Sequence, residues 1–139
     1  MPTFHYRLLR ASWGIAVDVD AEATVLASPP PARQVSSHVF LSVALQARTD
    51  APATHLTADE HDWLAHGLAL VAPQIESARP TGHVLVTVRG LTFNPCHYQP
   101  EGLAAALAGW AAAEFGLTCP LPSARYDKVS NRYEYEWGR

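Results

Sequence analysis

The feature that constrains the fold most is a run of alternating apolar residues at positions 83–93. Three valines occupy every second position in its first half: Val84, Val86 and Val88. Because successive side chains of a β-strand point to opposite faces, this spacing predicts a strand with one buried face. Leu91 and Phe93 continue the pattern on odd numbers, and one extra residue at Gly90 would restore its register. The run therefore predicts a strand that carries a β-bulge at Gly90.

The segment before this strand has the pattern of an amphipathic helix. Thr57 and Glu60 have the spacing of a capping box, in which each side chain binds a backbone amide of the first turn. Four apolar residues follow at helical spacing: Leu64, Leu68, Val71 and Ile75. Proline lacks an amide hydrogen and clashes with the preceding turn, so Pro73 is expected to kink this helix or end it near Ala72.

The segment after the strand predicts a second helix of a different kind. It has Pro100 in its first turn and ends at Gly116, which is the usual placement of these two residues. Four large apolar residues stand among many alanines: Leu103, Leu107, Trp110 and Phe115. A helix with so few large side chains can lie close against a sheet, and we expect it to be mostly buried.

Strand patterns occupy both ends of the chain. Near the N-terminus apolar residues alternate over 4–8 and again over 13–19, which predicts one long bent strand or a hairpin. A further strand is predicted within residues 37–48. The last segment predicts a hairpin with a turn at 129–131 and an aromatic face. Strands and helices in this order predict an α+β two-layer sandwich, with a mostly antiparallel sheet and both helices on one face.

Size and composition narrow the class of protein. A chain of 139 residues that is 48% hydrophobic is long enough for one domain, which we expect to span residues 1–139. The net charge of −3 and the scattered basic residues argue against nucleic-acid binding. No apolar run approaches the roughly 18 residues of a membrane span.

Cysteine usage and residue bias predict where the protein acts. Cys96 and Cys119 lie at opposite ends of the second predicted helix, too far apart for a disulfide. Two free thiols and the lack of a secretory signal pattern predict a cytoplasmic protein. Arginine almost replaces lysine, since Lys128 is the only lysine, and alanine and proline are abundant, which is typical of a GC-rich bacterial genome.

The best candidate for a functional site is the polar segment between the central strand and the second helix. Four of its residues have side chains that could take part in catalysis or ligand binding: Asn94, Cys96, His97 and Tyr98. Unpaired amides and the helix dipole at this point favour an anion and would stabilise a thiolate. Cys96 and His97 are adjacent on an extended segment, so their side chains point apart and His97 cannot simply act as the base for Cys96. In the alternative interpretation, Cys96 is a small buried residue and His97 a hydrogen-bonding loop residue.

No metal site or cofactor is predicted from the other polar residues. Of the three histidines around the first helix, His55 precedes it, and His61 and His66 point about 140° apart on it, which is poor zinc-ligand spacing. Three acidic residues alternate with apolar ones near the N-terminus: Asp18, Asp20 and Glu22. They lack the glycine and the glutamate spacing of a calcium loop, so a solvated strand end is expected.

The order of elements over residues 37–116 resembles domain IV of elongation factor G and its ribosomal-protein-S5-like fold. The matching pieces are the helix Ala58–Ala72, the strand segment His83–Val88, the loop with His97 and Tyr98, and the helix that begins near Glu101. The resemblance implies this α+β architecture. The family's domain has no chemistry of its own and acts by contacting the ribosome, so no functional residue is carried over.

Two functions agree with these patterns. The first is a small bacterial accessory protein that binds a partner protein or a small ligand, since the chain has a well-specified fold and no recognised nucleophile, metal or nucleotide motif. The second is a small cofactor-free enzyme of specialised metabolism, such as a cyclase, isomerase or hydrolase. In that case His97 is the acid–base group, and Tyr98 or Asn94 orients the substrate.

The aromatic face of the C-terminal hairpin predicts a homodimer. Exposed edge strands pair readily, and aromatic residues are enriched in interface cores. We therefore expect Tyr133, Tyr135 and Trp137 to lie on an edge strand that meets a second copy. The alternation fits equally well if this stripe packs beneath the helices and leaves Glu134 and Glu136 in water, so both arrangements stay open.

Overall fold

The computed structural model describes residues 3–9, 13–45, 56–93, 98–118 and 122–137. Within these ranges the elements follow the order β1 (Thr3–Leu9), β2 (Gly14–Leu26), β3 (Arg33–Gln34), β4 (Val39–Val43), α1 (Ala58–Ala78), β5 (His83–Phe93), α2 (Glu101–Phe115), β6 (Ser123–Asp127) and β7 (Arg132–Glu136). Four strands thus precede the first helix, one strand separates the two helices, and a hairpin follows them.

Five of the described strands form one sheet, in the order β1-β2-β5-β4-β3. Neighbouring strands are antiparallel except β4 and β5, which are parallel. The N-terminal alternation is a hairpin of two strands, in which Tyr6 pairs with Val17. The prediction of an α+β fold with a mostly antiparallel sheet is therefore confirmed.

The bulge in β5 lies where the alternation of apolar residues changes. Val88 pairs with Ala21 and Gly90 pairs with Asp20, so Arg89 is left out of the strand register. This extra residue allows Leu91 to join the valines of β5 in the same buried cluster. The bulge predicted from the sequence is confirmed.

Helix α1 begins as the capping box predicts and continues further than expected. The Thr57 hydroxyl accepts a hydrogen bond from the Glu60 amide at 3.1 Å, and Glu60 Oε1 accepts one from the Thr57 amide at 2.9 Å. The helix then passes through Pro73 to Ala78, so the alternative in which it ends near Ala72 is wrong. Pro73 and Ala69, one turn earlier, are both exposed, and the bond that proline removes therefore lies on the side where water replaces it.

Helix α2 is buried on every side over most of its length, at residues 102–111. At Gly67 of α1 the two helices meet backbone to backbone. A methyl group on Gly67 would lie 2.6 Å from the Cα atom of Ala104, and closer still to its carbonyl oxygen. The helix ends at Gly116, whose φ of 66° is left-handed. The small residues of α2 therefore bring it close to its neighbours, as the alanine-rich pattern predicts.

The C-terminal hairpin forms a second sheet, in which β6 and β7 pair with each other. The buried side chain of Gln99 fixes this hairpin to the start of α2. Its amide nitrogen donates to the Tyr133 carbonyl at 2.6 Å, and its oxygen accepts from the Tyr133 amide at 2.9 Å. Tyr133 is 1% exposed, and its hydroxyl donates to the Trp13 carbonyl at 2.6 Å.

The aromatic stripe of β7 faces the protein's own core. The hydroxyls of Tyr135 and Tyr6 are 2.8 Å apart, and the rings of Trp137 and Trp63 have centroids 5.5 Å apart. The stripe therefore packs inward, as in the second arrangement that the sequence leaves open, and its strand pairs with β6 in a separate two-stranded sheet. The physical reason is the contact with Gln99, which holds the hairpin beside α2. The homodimer stays a prediction.

Candidate binding surface

Three of the four site residues predicted from the sequence lie outside the described residues: Asn94, Cys96 and His97. The fourth, Tyr98, lies between β5 and α2, three residues before the first residue of α2. Its ring stacks on Phe93 with the ring centroids 4.1 Å apart, and its hydroxyl donates a short hydrogen bond to Glu60 Oε2. The structure thus joins Tyr98 to the capping box of α1, a partner that the sequence did not indicate.

The electrostatics around Tyr98 define what this phenol can do. Burial and the hydrogen bond to the Glu60 carboxylate, with further carboxylates nearby, raise the pKa of Tyr98 far above its ordinary value. The phenol is therefore neutral at physiological pH and acts as a hydrogen-bond donor. Glu60 uses one carboxylate oxygen for the helix cap and the other for Tyr98. This arrangement holds the start of α1 against the end of β5.

The histidines of α1 do not form a metal site with other described residues. Within the described ranges, no group of three or more His, Cys, Asp or Glu side chains is placed to hold a metal ion. The His66 ring instead contacts Trp137, with centroids 4.8 Å apart, and Trp63, with centroids 5.5 Å apart. His55 lies outside the described residues.

A group of polar and charged side chains lies on the sheet face opposite the helices. We call it the charged face, and it consists of Thr3, His5 and Arg7 from β1, Asp18, Asp20 and Glu22 from β2, and Arg89 and Thr92 from β5. The alternation along β2 explains the division, because the intervening residues are buried under the helices. The described helices and the C-terminal hairpin pack on the other side of the sheet.

Asp18 is the centre of one ionic cluster on the charged face. Its Oδ1 atom lies 2.8 Å from Arg7 Nη1 and 2.8 Å from His5 Nδ1. Partial burial raises the pKa of Asp18, but the hydrogen bonds and charges of Arg7 and His5 outweigh it and leave this pKa below its ordinary value. The carboxylate is therefore held in its ionised form by its contacts with Arg7 and His5 on the neighbouring strand.

A second cluster joins β2 to the bulge of β5. Arg89 Nη2 lies 2.9 Å from Glu22 Oε2, and the Thr3 hydroxyl donates a short hydrogen bond to Asp20. Gly90, at the bulge, leaves room for the Asp20 carboxylate, since a methyl group on Gly90 would lie 2.9 Å from Asp20 Oδ2. A cleft of about 270 Å³ opens between the β1 and β5 side chains. Its lining residues are Thr3, His5, Asp18, Asp20 and Thr92.

The charged face does not cover the whole sheet. Towards β4 the same side of the sheet is buried, since Phe40 is 5% exposed and Thr87 is 6% exposed. In the sequence of β4, Phe40 stands on the face opposite Val39, Leu41 and Val43, and an apolar residue at that position indicates that the second face is covered too. The charged residues of this face therefore lie on β1, β2 and the end of β5 that follows Val88.

Sequence reasoning interpreted the three acidic residues as a solvated strand end and missed their partners. The signal that finds them is the register of the N-terminal hairpin, in which His5 pairs with Asp18 and Thr3 with Asp20. That register follows only if residues 4–19 form a hairpin, and the alternation fits one long strand equally well.

No helix among the described residues is long and apolar enough to cross a membrane.

Comparison with models of protein families, with curated proteins and with solved structures finds no match to this chain. The resemblance to domain IV of elongation factor G therefore stays a prediction from the order of elements.

Proposed function

We propose that this protein is a binding protein that holds a partner protein against its charged face. The observation that carries the proposal is the asymmetry of the sheet: one face is packed under two helices and a hairpin, and the other carries exposed ion pairs. Charges of both signs lie side by side there, so a partner with complementary charges would gain specificity and correct orientation from them.

The chemistry of the charged face favours a protein partner over other ligands. Arg7 and Arg89 alternate with Asp18, Asp20 and Glu22, so the face is no continuous basic surface of the kind that binds nucleic acid. Its cleft is lined by polar side chains, whereas small-molecule sites are lined mostly by apolar ones. The cytoplasm as the place of action stays a prediction from the sequence.

The enzyme alternative rests on His97, which lies outside the described residues. Its proposed helper, Tyr98, is held by Phe93 and Glu60, and this contact supports a structural role for Tyr98 in joining β5 to α1. A cofactor-free enzyme would lose its turnover when His97 is replaced by alanine. A binding protein would keep its partner affinity in the same variant.

The experiment that tests the proposal exchanges two charges on the charged face. The double variant Glu22→Lys/Arg89→Glu keeps an ion pair between β2 and β5 but reverses its direction. Partners are captured from the native host and identified by cross-linking, and their affinity is then measured with purified proteins. We expect this variant to weaken binding about tenfold or more.

The matched control is Glu114→Lys, which changes a charge on the exposed end of α2. It should leave the affinity unchanged, because α2 lies on the opposite side of the sheet. Equal loss of affinity in both variants would contradict the proposal. Turnover of a metabolite that disappears in His97→Ala, without any partner, would favour the enzyme alternative instead.

A further inference from the structure

The outer edge of β1 is one border of the large sheet. In the strand order, β1 is terminal on one side and the two-residue strand β3 on the other. Within the described ranges, the pairing partner of β1 is β2, on its inner side. A terminal strand of seven residues is a template to which another extended chain can add by backbone hydrogen bonds.

The side chains of β1 divide into a mostly polar row, which holds Thr3, His5 and Arg7 and ends at the exposed Leu9, and an apolar row on the other face. His5 and Arg7 lie on the charged face, with side chains 62% and 55% exposed. Phe4 and Leu8 point to the other side and pack against the core while staying partly accessible. An added strand would therefore meet a basic row on one face and an apolar row on the other, since its side chains alternate at the same period.

The Arg7 guanidinium has capacity for a further carboxylate. Its Nη1 atom contacts Asp18 Oδ1 at 2.8 Å and donates to the Tyr6 carbonyl at 2.8 Å. Its remaining nitrogens have no hydrogen-bond partner among the described residues. A carboxylate on a neighbouring strand would accept charge-assisted hydrogen bonds from them. The protonated form of His5 would add a second positive charge beside it.

We propose that β1 binds an extended segment of the partner as an additional strand, with acidic side chains beside His5 and Arg7 and apolar side chains beside Phe4 and Leu8. This inference rests on the proposed function, because it names the segment of the partner that the same face would recognise. A second copy of this chain fits less well. Two β1 strands side by side would place the cations of one copy next to those of the other, and like charges across strands repel.

The probe is a synthetic peptide that alternates glutamate and valine over about eight residues, close to the length of β1. A matched peptide carries lysine in place of glutamate. Fluorescence anisotropy with the full chain should show about tenfold or stronger preference for the glutamate peptide. The variant Arg7→Gln should remove most of this preference, while Glu114→Lys should keep it. Circular dichroism checks that each variant is folded.

Two further peptides distinguish strand addition from simple charge attraction. One carries N-methyl groups on the glutamate amides and the other on the valine amides, and alternate amides of a strand point to opposite sides. We expect one of the two to lose binding and the other to keep it. Hydrogen exchange should slow in β1 when the unmodified peptide is present.

Equal binding of the glutamate and lysine peptides, equal binding of both methylated peptides, or no binding at all would overturn the inference. Self-association of the chain that slows hydrogen exchange in β1 without any peptide would also overturn it, in favour of a second copy at β1. These outcomes leave the proposed function intact if Glu22→Lys/Arg89→Glu still weakens partner binding. Conversely, a partner that is insensitive to that double variant counts against the proposed function alone.

Discussion

The two faces of the sheet are built from the same strands and differ in the interactions that their side chains make. On the helix-facing side, Val17, Val19 and Val86 are fully buried beneath α1 and α2. On the charged face, the alternate residues Asp18 and Glu22 form partly exposed ion pairs with cations of neighbouring strands. Packing in the core stabilises the fold strongly, whereas exposed ion pairs contribute about 0–1 kcal/mol each. The charged face is therefore free to serve recognition, because the fold depends on it so little.

The largest loss of stability is expected where the helices meet on the packed side. Gly67→Ala should lower the free energy of unfolding by more than about 3 kcal/mol, although alanine is the better helix former. The cause is the clash of the new methyl group with the Ala104 backbone, which would push α1 and α2 apart. Urea denaturation followed by circular dichroism measures the change.

The control for this substitution is Ala69→Gly on the exposed side of the same helix. It should cost about 1 kcal/mol through helix propensity alone. A Gly67→Ala variant as stable as the natural protein would show that the close contact between the helices is wrong.

A somewhat smaller loss is expected where the hairpin joins the packed side. Gln99→Leu keeps the approximate size of the side chain but replaces its amide with an apolar group, which removes both hydrogen bonds to the Tyr133 backbone. The free energy of unfolding should fall by about 2 kcal/mol, because buried backbone groups lose their partners. Gln74→Leu, on the exposed surface of α1, is the matched control and should change it little. Similar effects of the two changes would contradict the hydrogen bonds by which Gln99 joins the hairpin to α2.

The contribution of the charged face to the free energy of unfolding should depend on pH. Its neighbours hold the Asp18 pKa below the ordinary value of 3.8, so the folded state stays ionised at pH values where the unfolded chain takes up a proton. The stability that Asp18 contributes is thus fully present above about pH 4 and is lost as the pH falls through the lowered pKa. At pH 6, Asp18→Asn should lower the free energy of unfolding by less than about 1 kcal/mol.

This difference between Asp18→Asn and the natural protein should shrink as the solution is made more acidic. Denaturation curves at a series of pH values below 6 measure it. A difference that grows as the pH falls below about 4 has the opposite sign and would contradict the pairing of Asp18 with Arg7 and His5.

The smallest effect on stability is expected from the charge exchange Glu22→Lys/Arg89→Glu. Both side chains are partly exposed, and the exchanged pair can form again with reversed direction. The free energy of unfolding should therefore change by about 0.5 kcal/mol or less. A loss as large as that of Gln99→Leu would show that the charged face is part of the fold's stability and would remove the contrast between the two faces.

Local signals in the sequence predicted the elements better than their assembly. The capping box at Thr57 and Glu60 and the bulge at Gly90 follow from spacing over a few residues, and both are present. The sequence left open whether α1 passes through Pro73 or ends there, because the cost of the proline depends on which side of the helix faces water. Such a side is decided by packing, and packing is not local.

Contacts between distant residues were the ones that sequence patterns could not supply. The hairpin's position depends on Gln99 and Tyr133, which are 34 residues apart and belong to no motif. Tyr98 was singled out from the sequence, but its hydrogen bond to Glu60 spans 38 residues. The ion pairs of the charged face need the register between β1 and β2, which alternation alone leaves open.

Hydrogen–deuterium exchange of the full chain with and without its captured partner tests directly whether the charged face is the binding surface. If the charged face is the binding surface, the partner should slow exchange in β1, in β2 and in the end of β5 after the bulge, and leave α1 unchanged. Slower exchange confined to the exposed side of α1, or to residues 94–98, would contradict the account.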